Sequence, residues 1–125
     1  MNPTPICELR QHFHLESARY LPHLPKSHPC SRMHGHSFKV TLVMEGPLDS
    51  KVGWVIDYND VKAAAGPIFS EIDHRCLNEV SGLENPTTEI LTAWIFEKVK
   101  ARLPDLVQVI VAETADTECR YPVRR

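Results

Sequence analysis

The chain has 125 residues, of which 42% are apolar and 24% charged, with a formal net charge of -2. That suits one domain over residues 1–125 with a moderate core. It gives no electrostatic case for nucleic acid as a partner. No apolar run reaches the ~18 residues of a membrane span. The opening Met-Asn-Pro-Thr-Pro lacks the basic and apolar regions of a signal peptide, so the expected location is the cytoplasm. Cys7, Cys30, Cys76 and Cys119 are widely spaced and form no Cys-x-x-Cys. In a reducing compartment they are expected as thiols.

Leu9 to Arg19 reads as a first strand, with Leu9, Phe13 and Leu15 on one parity and Arg10, His12, His14 and Glu16 on the other. Arg19 falls on the apolar parity, which points it towards the interior or a site. His12 and His14 could begin a metal pair, but alternate polar residues on a solvated strand face are commonplace. Tyr20 to Met33 is a proline-rich connection carrying His23, His28 and Cys30, long enough to suggest function.

The stretch Cys-Ser-Arg-Met-His-Gly-His, from Cys30 to His36, runs straight into a second strand ending at Glu45. Phe38, Val40, Leu42 and Met44 alternate there with Ser37, Lys39, Thr41 and Glu45, and His34 and His36 continue the same parity. In extended geometry the two imidazoles share a face, roughly 7 Å apart along the chain. That is a usual start for a zinc or other transition-metal site; the plainer reading is a polar loop entering a strand. Gly53 to Asp57 reads as the return strand of a hairpin. Asp57 or Asn59 is expected to cap a helix carrying Val61, Ala64, Ala65, Ile68 and Ile72, which Gly66-Pro67 should kink. Asn85-Pro86 is expected to open a second helix with Leu91, Trp94, Ile95, Val99 and Leu103 as its buried stripe. Leu106 to Ala112 reads as a last strand, Glu113-Thr114 stands at its end, and Ala115 to Arg125 reads as an irregular tail. The order β, β, β, α, α, β is an α+β arrangement. Its exposed sheet edges invite pairing with other copies.

Four features carry possible chemistry: Cys30, the His34/His36 pair, Asp73-His74 and Glu113. An adjacent Asp and His can form an orienting pair in which the carboxylate fixes the imidazole tautomer. The alternatives are a solvated helix end for Asp73-His74, a small buried hydrophobe for Cys30, and plain exposure for Glu113.

In order and spacing, Cys-x3-His-x-His, Gly-Trp-Val-Ile-Asp-Tyr, Asp-His, Leu-Glu-Asn-Pro-Thr-x-Glu and a late Glu-Thr resemble the 6-pyruvoyl-tetrahydropterin synthase superfamily over about residues 9–121. Leu-Pro-His-Leu-Pro-x-x-His-x-Cys is most similar to the bacterial 6-carboxytetrahydropterin synthase branch, which serves queuosine (7-deazaguanine) biosynthesis. The resemblance implies a tunnelling fold (T-fold), in which a four-stranded antiparallel sheet carries two helices on one face. Three chains close a barrel and two trimers stack into a homohexamer. It implies a pterin triphosphate substrate, 7,8-dihydroneopterin triphosphate, converted to 6-carboxytetrahydropterin with release of acetaldehyde and triphosphate. It also implies Zn2+ on His34 and His36 as a Lewis acid, Cys30 as thiolate base, Asp73 and His74 as a second acid–base unit, and Glu113, assisted by Thr114, as the pterin anchor. The sister pyruvoyl activity, a broader cleavage of pterin side chains, and a non-catalytic pterin- or metal-binding paralogue remain alternatives.

One position departs from the family. The first of its three zinc histidines corresponds to Arg19, and a guanidinium cannot ligate zinc. Either His28 supplies the third ligand, or Cys30 does, or the site is weakened or empty and Arg19 holds the substrate's anionic tail. The reading adopted from sequence is His28.

Overall fold

The computed structural model describes residues 3–125. Two long strands, β1 (Ile6–Arg19) and β2 (His34–Pro47), form an antiparallel ladder that runs from Ile6 opposite Pro47 to Arg19 opposite His34. Helices α1 (Tyr58–Ser70) and α2 (Thr88–Lys100) follow. The chain then returns as β3 (Leu106–Thr114), antiparallel to β2, and β4 (Thr117–Tyr121). The sheet order is β1-β2-β3-β4, which leaves β1 and β4 as its two edges. This is the four-stranded antiparallel sheet with two helices that the resemblance implied.

The apolar series in β2 faces the core: Phe38, Val40, Leu42 and Met44 are all buried, and in the middle of the strand Thr41 and Val43 are buried on the opposite face as well. Leu15 joins them from β1, Val61, Ala65 and Ile68 from α1, and Leu91, Ile95 and Val99 from α2. Burying each such side chain stabilises the fold by roughly 1.5–3 kcal/mol before entropy is counted. Asp57 caps α1 by accepting a hydrogen bond from the Asn59 N–H at 2.8 Å.

The structure departs from the sequence reading at four places. Gly53 to Asp57 is not a strand. The Asp49 carboxylate accepts from the N–H groups of Lys51 and Val52, and Gly53 turns the chain at φ 82. Both sides of β2 are already taken by β1 and β3, so a hairpin return there would have no edge to pair with. The supposed tail contains β4 instead. Pro67 lies inside α1, which runs on to Ser70 without interruption. Finally, α2 is capped by Thr87, whose hydroxyl accepts from the Ile90 N–H at 3.1 Å, and not by Asn85.

Candidate active site

The ladder itself brings the site together. Arg19 pairs with His34, Ser17 with His36 and Leu15 with Phe38, so these residues share the helix-side face of the sheet. Val40 pairs with Val111; Glu113, two residues on, therefore falls on the same face. Arg19 reaches into this corner with its side chain only 4% exposed. Its Nη1 donates to the Pro86 carbonyl at 3.0 Å and to Thr88 Oγ1 at 3.2 Å, and its Nη2 donates to Glu113 Oε1 at 2.6 Å. Thr88 Oγ1 donates in turn to the same Glu113 oxygen. The guanidinium carbon lies 5.3 Å from the centre of the Phe38 ring, within cation–π range. A buried cation is tolerated when it is paired and hydrogen-bonded, and here the Glu113 carboxylate and two oxygen acceptors do that. Both carboxylate bonds fall on Oε1, which leaves Oε2 for a ligand. Glu113 and Thr88 line a cavity of about 420 Å³ with Val111, Thr117 and Cys119.

His34 and His36 meet edge to face, with ring centres 4.8 Å apart. His34 Nδ1 lies 2.7 Å from the Arg32 carbonyl oxygen. A carbonyl only accepts, so Nδ1 carries the proton and Nε2 the bare lone pair. That Nε2 is buried without a partner, and so is the Nε of Arg19. Burial holds the His36 pKa below its usual value, and the Arg19 guanidinium pushes it the same way; Glu113 opposes them.

Two donors of a metal set are thus present. The bare His34 Nε2 suits an ion, and the carbonyl behind its ring is the kind of support metal-binding histidines have. The third position does not fit. Arg19, directly across from His34, is a permanent cation. A guanidinium beside a divalent ion repels it by several kcal/mol even at an effective dielectric of about 20, and Glu113 offsets only part of this. Among the described residues, no three His, Cys, Asp or Glu side chains gather closely enough to hold an ion, whereas a catalytic zinc has three protein ligands. His28 stands apart from the imidazole pair. It is exposed in the loop, and its Nδ1 accepts from the Cys30 N–H at 3.1 Å. The side chains on this chain therefore do not make the three-histidine set that the resemblance implies.

Cys30 sits half-buried as a free thiol in the short 3-10 turn Pro29–Ser31. Asp73 and His74 meet, Oδ1 to Nδ1 at 3.1 Å, in the turn after α1, against the edge strand β1. There the Asp73 carboxylate accepts from the Glu16 N–H at 3.0 Å, and the His74 N–H donates to the Glu16 carbonyl at 2.6 Å. The Glu16 N–H holds the Asp73 carboxyl below the ordinary carboxylate range; burial opposes it, and His74 adds to the lowering. The His74 ring is 77% exposed on a backbone with φ 57. Thr114 turns away to meet Thr117, hydroxyl to hydroxyl at 2.9 Å. His12 bonds Thr41 at 2.8 Å, and His14 is exposed. Thr88 and the Pro86 carbonyl were not singled out from sequence. The Asn-Pro-Thr-Thr-Glu run that holds them reads there as a helix start and as part of the family motif, with no role given to Thr88 or to the Pro86 carbonyl.

The comparisons with known proteins agree with this arrangement. The chain is 38% identical over 115 residues to a protein of Synechocystis named 6-carboxy-5,6,7,8-tetrahydropterin synthase, covering 87% of this chain and 88% of the relative. It is 36% identical over 87 residues to a dihydroneopterin monophosphate aldolase of Pyrococcus furiosus, covering 70% and 73%. Among solved structures, the 6-pyruvoyl tetrahydropterin synthase of Caenorhabditis elegans superposes with a TM-score of 0.88 over 97% of this chain and 98% of that one, at 23% identity, which speaks for the fold alone. The sequence pattern of the 6-pyruvoyl tetrahydropterin synthase family matches residues 8–123. With the sheet, the helices and the Arg19–His34–Glu113 corner in view, the chain belongs to the 6-pyruvoyl tetrahydropterin synthase family.

Proposed function

We propose that the protein is a lyase of the 6-carboxytetrahydropterin synthase type, acting on 7,8-dihydroneopterin triphosphate in queuosine (7-deazaguanine) biosynthesis. The observation that carries this reading is Glu113. One of its oxygens is fixed by Arg19 and Thr88, and the side chain opens on a cavity of about 420 Å³. A carboxylate held in this way matches the adjacent N–H donors of a pterin's 2-amino and N3 positions. The identity to the Synechocystis relative supports the carboxy branch.

In this reading the Cys30 thiolate takes a proton from the substrate side chain, and Asp73 orients His74 as the second acid–base group. The Asp73-His74 pair and the pterin anchor lie towards opposite ends of the sheet order, Asp73-His74 against β1 and Glu113 on β3, next to β4. A ring of identical sheets can close only by joining the β1 edge of one chain to the β4 edge of the next. That closure would bring one chain's Asp73-His74 towards its neighbour's Glu113, which makes a trimer barrel, doubled to a hexamer, the working assembly. These side chains carry the proton transfers without a metal, because the groups around Arg19 do not fit one. The Pyrococcus aldolase relative favours a second reading, in which a related pterin side chain is cleaved between carbons.

Glu113→Gln tests the anchor. It keeps an acceptor for Arg19 and removes the charge. Loss of a charge-assisted pair should weaken binding of a neopterin, followed by its fluorescence, by about tenfold or more. Unchanged affinity would reject Glu113 as the pterin anchor.

A further inference from the structure

We propose that Arg19 takes the place of the metal ion in this chain: its guanidinium is the fixed positive charge of the site, and the pair formed by Arg19 Nε–H and His34 Nε2 receives a substrate hydroxyl where a zinc-bound oxygen would otherwise sit. The proposal rests on the pterin reading only for the identity of that hydroxyl; its metal half stands independently.

Three observations lead to it. Arg19 is not an incidental surface residue facing the histidines. Its side chain is almost fully buried and is tied down by the Pro86 carbonyl, Thr88 and Glu113, so it cannot swing aside to admit an ion without giving up its bond to the Pro86 carbonyl and its ion pair with Glu113. The remaining donors number two imidazoles, and a stable zinc site on one chain wants more. The two nitrogens left without partners, Arg19 Nε and His34 Nε2, come from residues directly opposed in the β1–β2 ladder. One is a donor and the other an acceptor. That is the complement of a hydroxyl group, which donates through its proton and accepts at its oxygen. A buried polar atom without a partner is costly, and a ligand hydroxyl would satisfy both at once.

Arg19 and Glu113 also couple the two halves of the site. The same guanidinium that faces His34 across the ladder holds the pterin-anchoring carboxylate in place. With a histidine at position 19 that link would be absent, and a metal would be needed to supply the charge.

The deciding measurement is zinc content by mass spectrometry on protein purified from zinc-supplemented cultures without chelator. The wild-type chain should carry less than about one zinc per ten chains, and Arg19→His, which completes three imidazoles, close to one per chain. About one zinc per wild-type chain would overturn the proposal. So would a folded Arg19→His that stays empty. If Arg19→His does not fold, wild type and a His34→Ala/His36→Ala variant are each loaded with zinc chloride and desalted. Equal retention supports the proposal, and an excess in wild type contradicts it. Turnover of 7,8-dihydroneopterin triphosphate supplies a separate arm. Activity unchanged by EDTA agrees with Arg19 as the cation, and activity lost to EDTA and restored by zinc contradicts it. Absence of turnover under every condition would sink the proposed reaction, while zinc content would still decide the role of Arg19.

Discussion

Arg19 and Glu113 depend on each other energetically as well as chemically. Glu113→Leu would leave the guanidinium buried with no anion, at a cost of about 3 kcal/mol. The double change Arg19→Met/Glu113→Leu removes both charges and should recover most of that loss; urea denaturation of the three proteins reads the coupling. Asp73 makes a prediction about acid. Its folded pKa is lowered by the Glu16 N–H, so its contribution is present above the unfolded value of 3.8 and is lost as the pH falls through the folded one. Asp73→Asn keeps an acceptor but no titrating charge. The stability gap between wild type and Asp73→Asn, followed by denaturant melts from about pH 6 downwards, should be constant at first and close below about pH 4. A gap that widens on acidification would contradict this. The sequence showed Arg19 as the position out of pattern, because parity and the missing histidine both marked it. It did not show that Thr88 and the Pro86 carbonyl would hold it, since those acceptors arrive from the start of a helix some 70 residues away.

The strands and helices were readable where one face is buried. β2 buries the apolar series Phe38, Val40, Leu42 and Met44, with Thr41 and Val43 buried on its other face, and α2 has an apolar stripe, so both were visible. β4 was not. It is an edge strand of mostly exposed residues, and its Tyr121 packs on Phe96 at 5.5 Å without any alternation to betray it. Conversely, Trp54, Val55 and Ile56 look like a strand but have no free edge beside β2 to join. Pairing, which is a property of the whole sheet, decided both cases against local propensity. At this scale the Thr87 cap is the test. Thr87→Ala removes the acceptor for the Ile90 N–H and should lower stability by about 1 kcal/mol, whereas Asn85→Ala should cost less; equal losses would contradict the assigned cap.

At the scale of the molecule, the sheet ends in two open edges, and the proposed acid–base pair and pterin anchor stand near opposite ones. Assembly and activity are therefore coupled in this account. Sedimentation at micromolar concentration should give trimers or hexamers, and a monomer would contradict it. The most direct test is the product itself. Purified protein incubated with 7,8-dihydroneopterin triphosphate should yield 6-carboxytetrahydropterin, acetaldehyde and triphosphate by mass spectrometry. A product that keeps the side-chain carbons, or an untouched substrate, would contradict the reading of this chain as a carboxy-branch synthase.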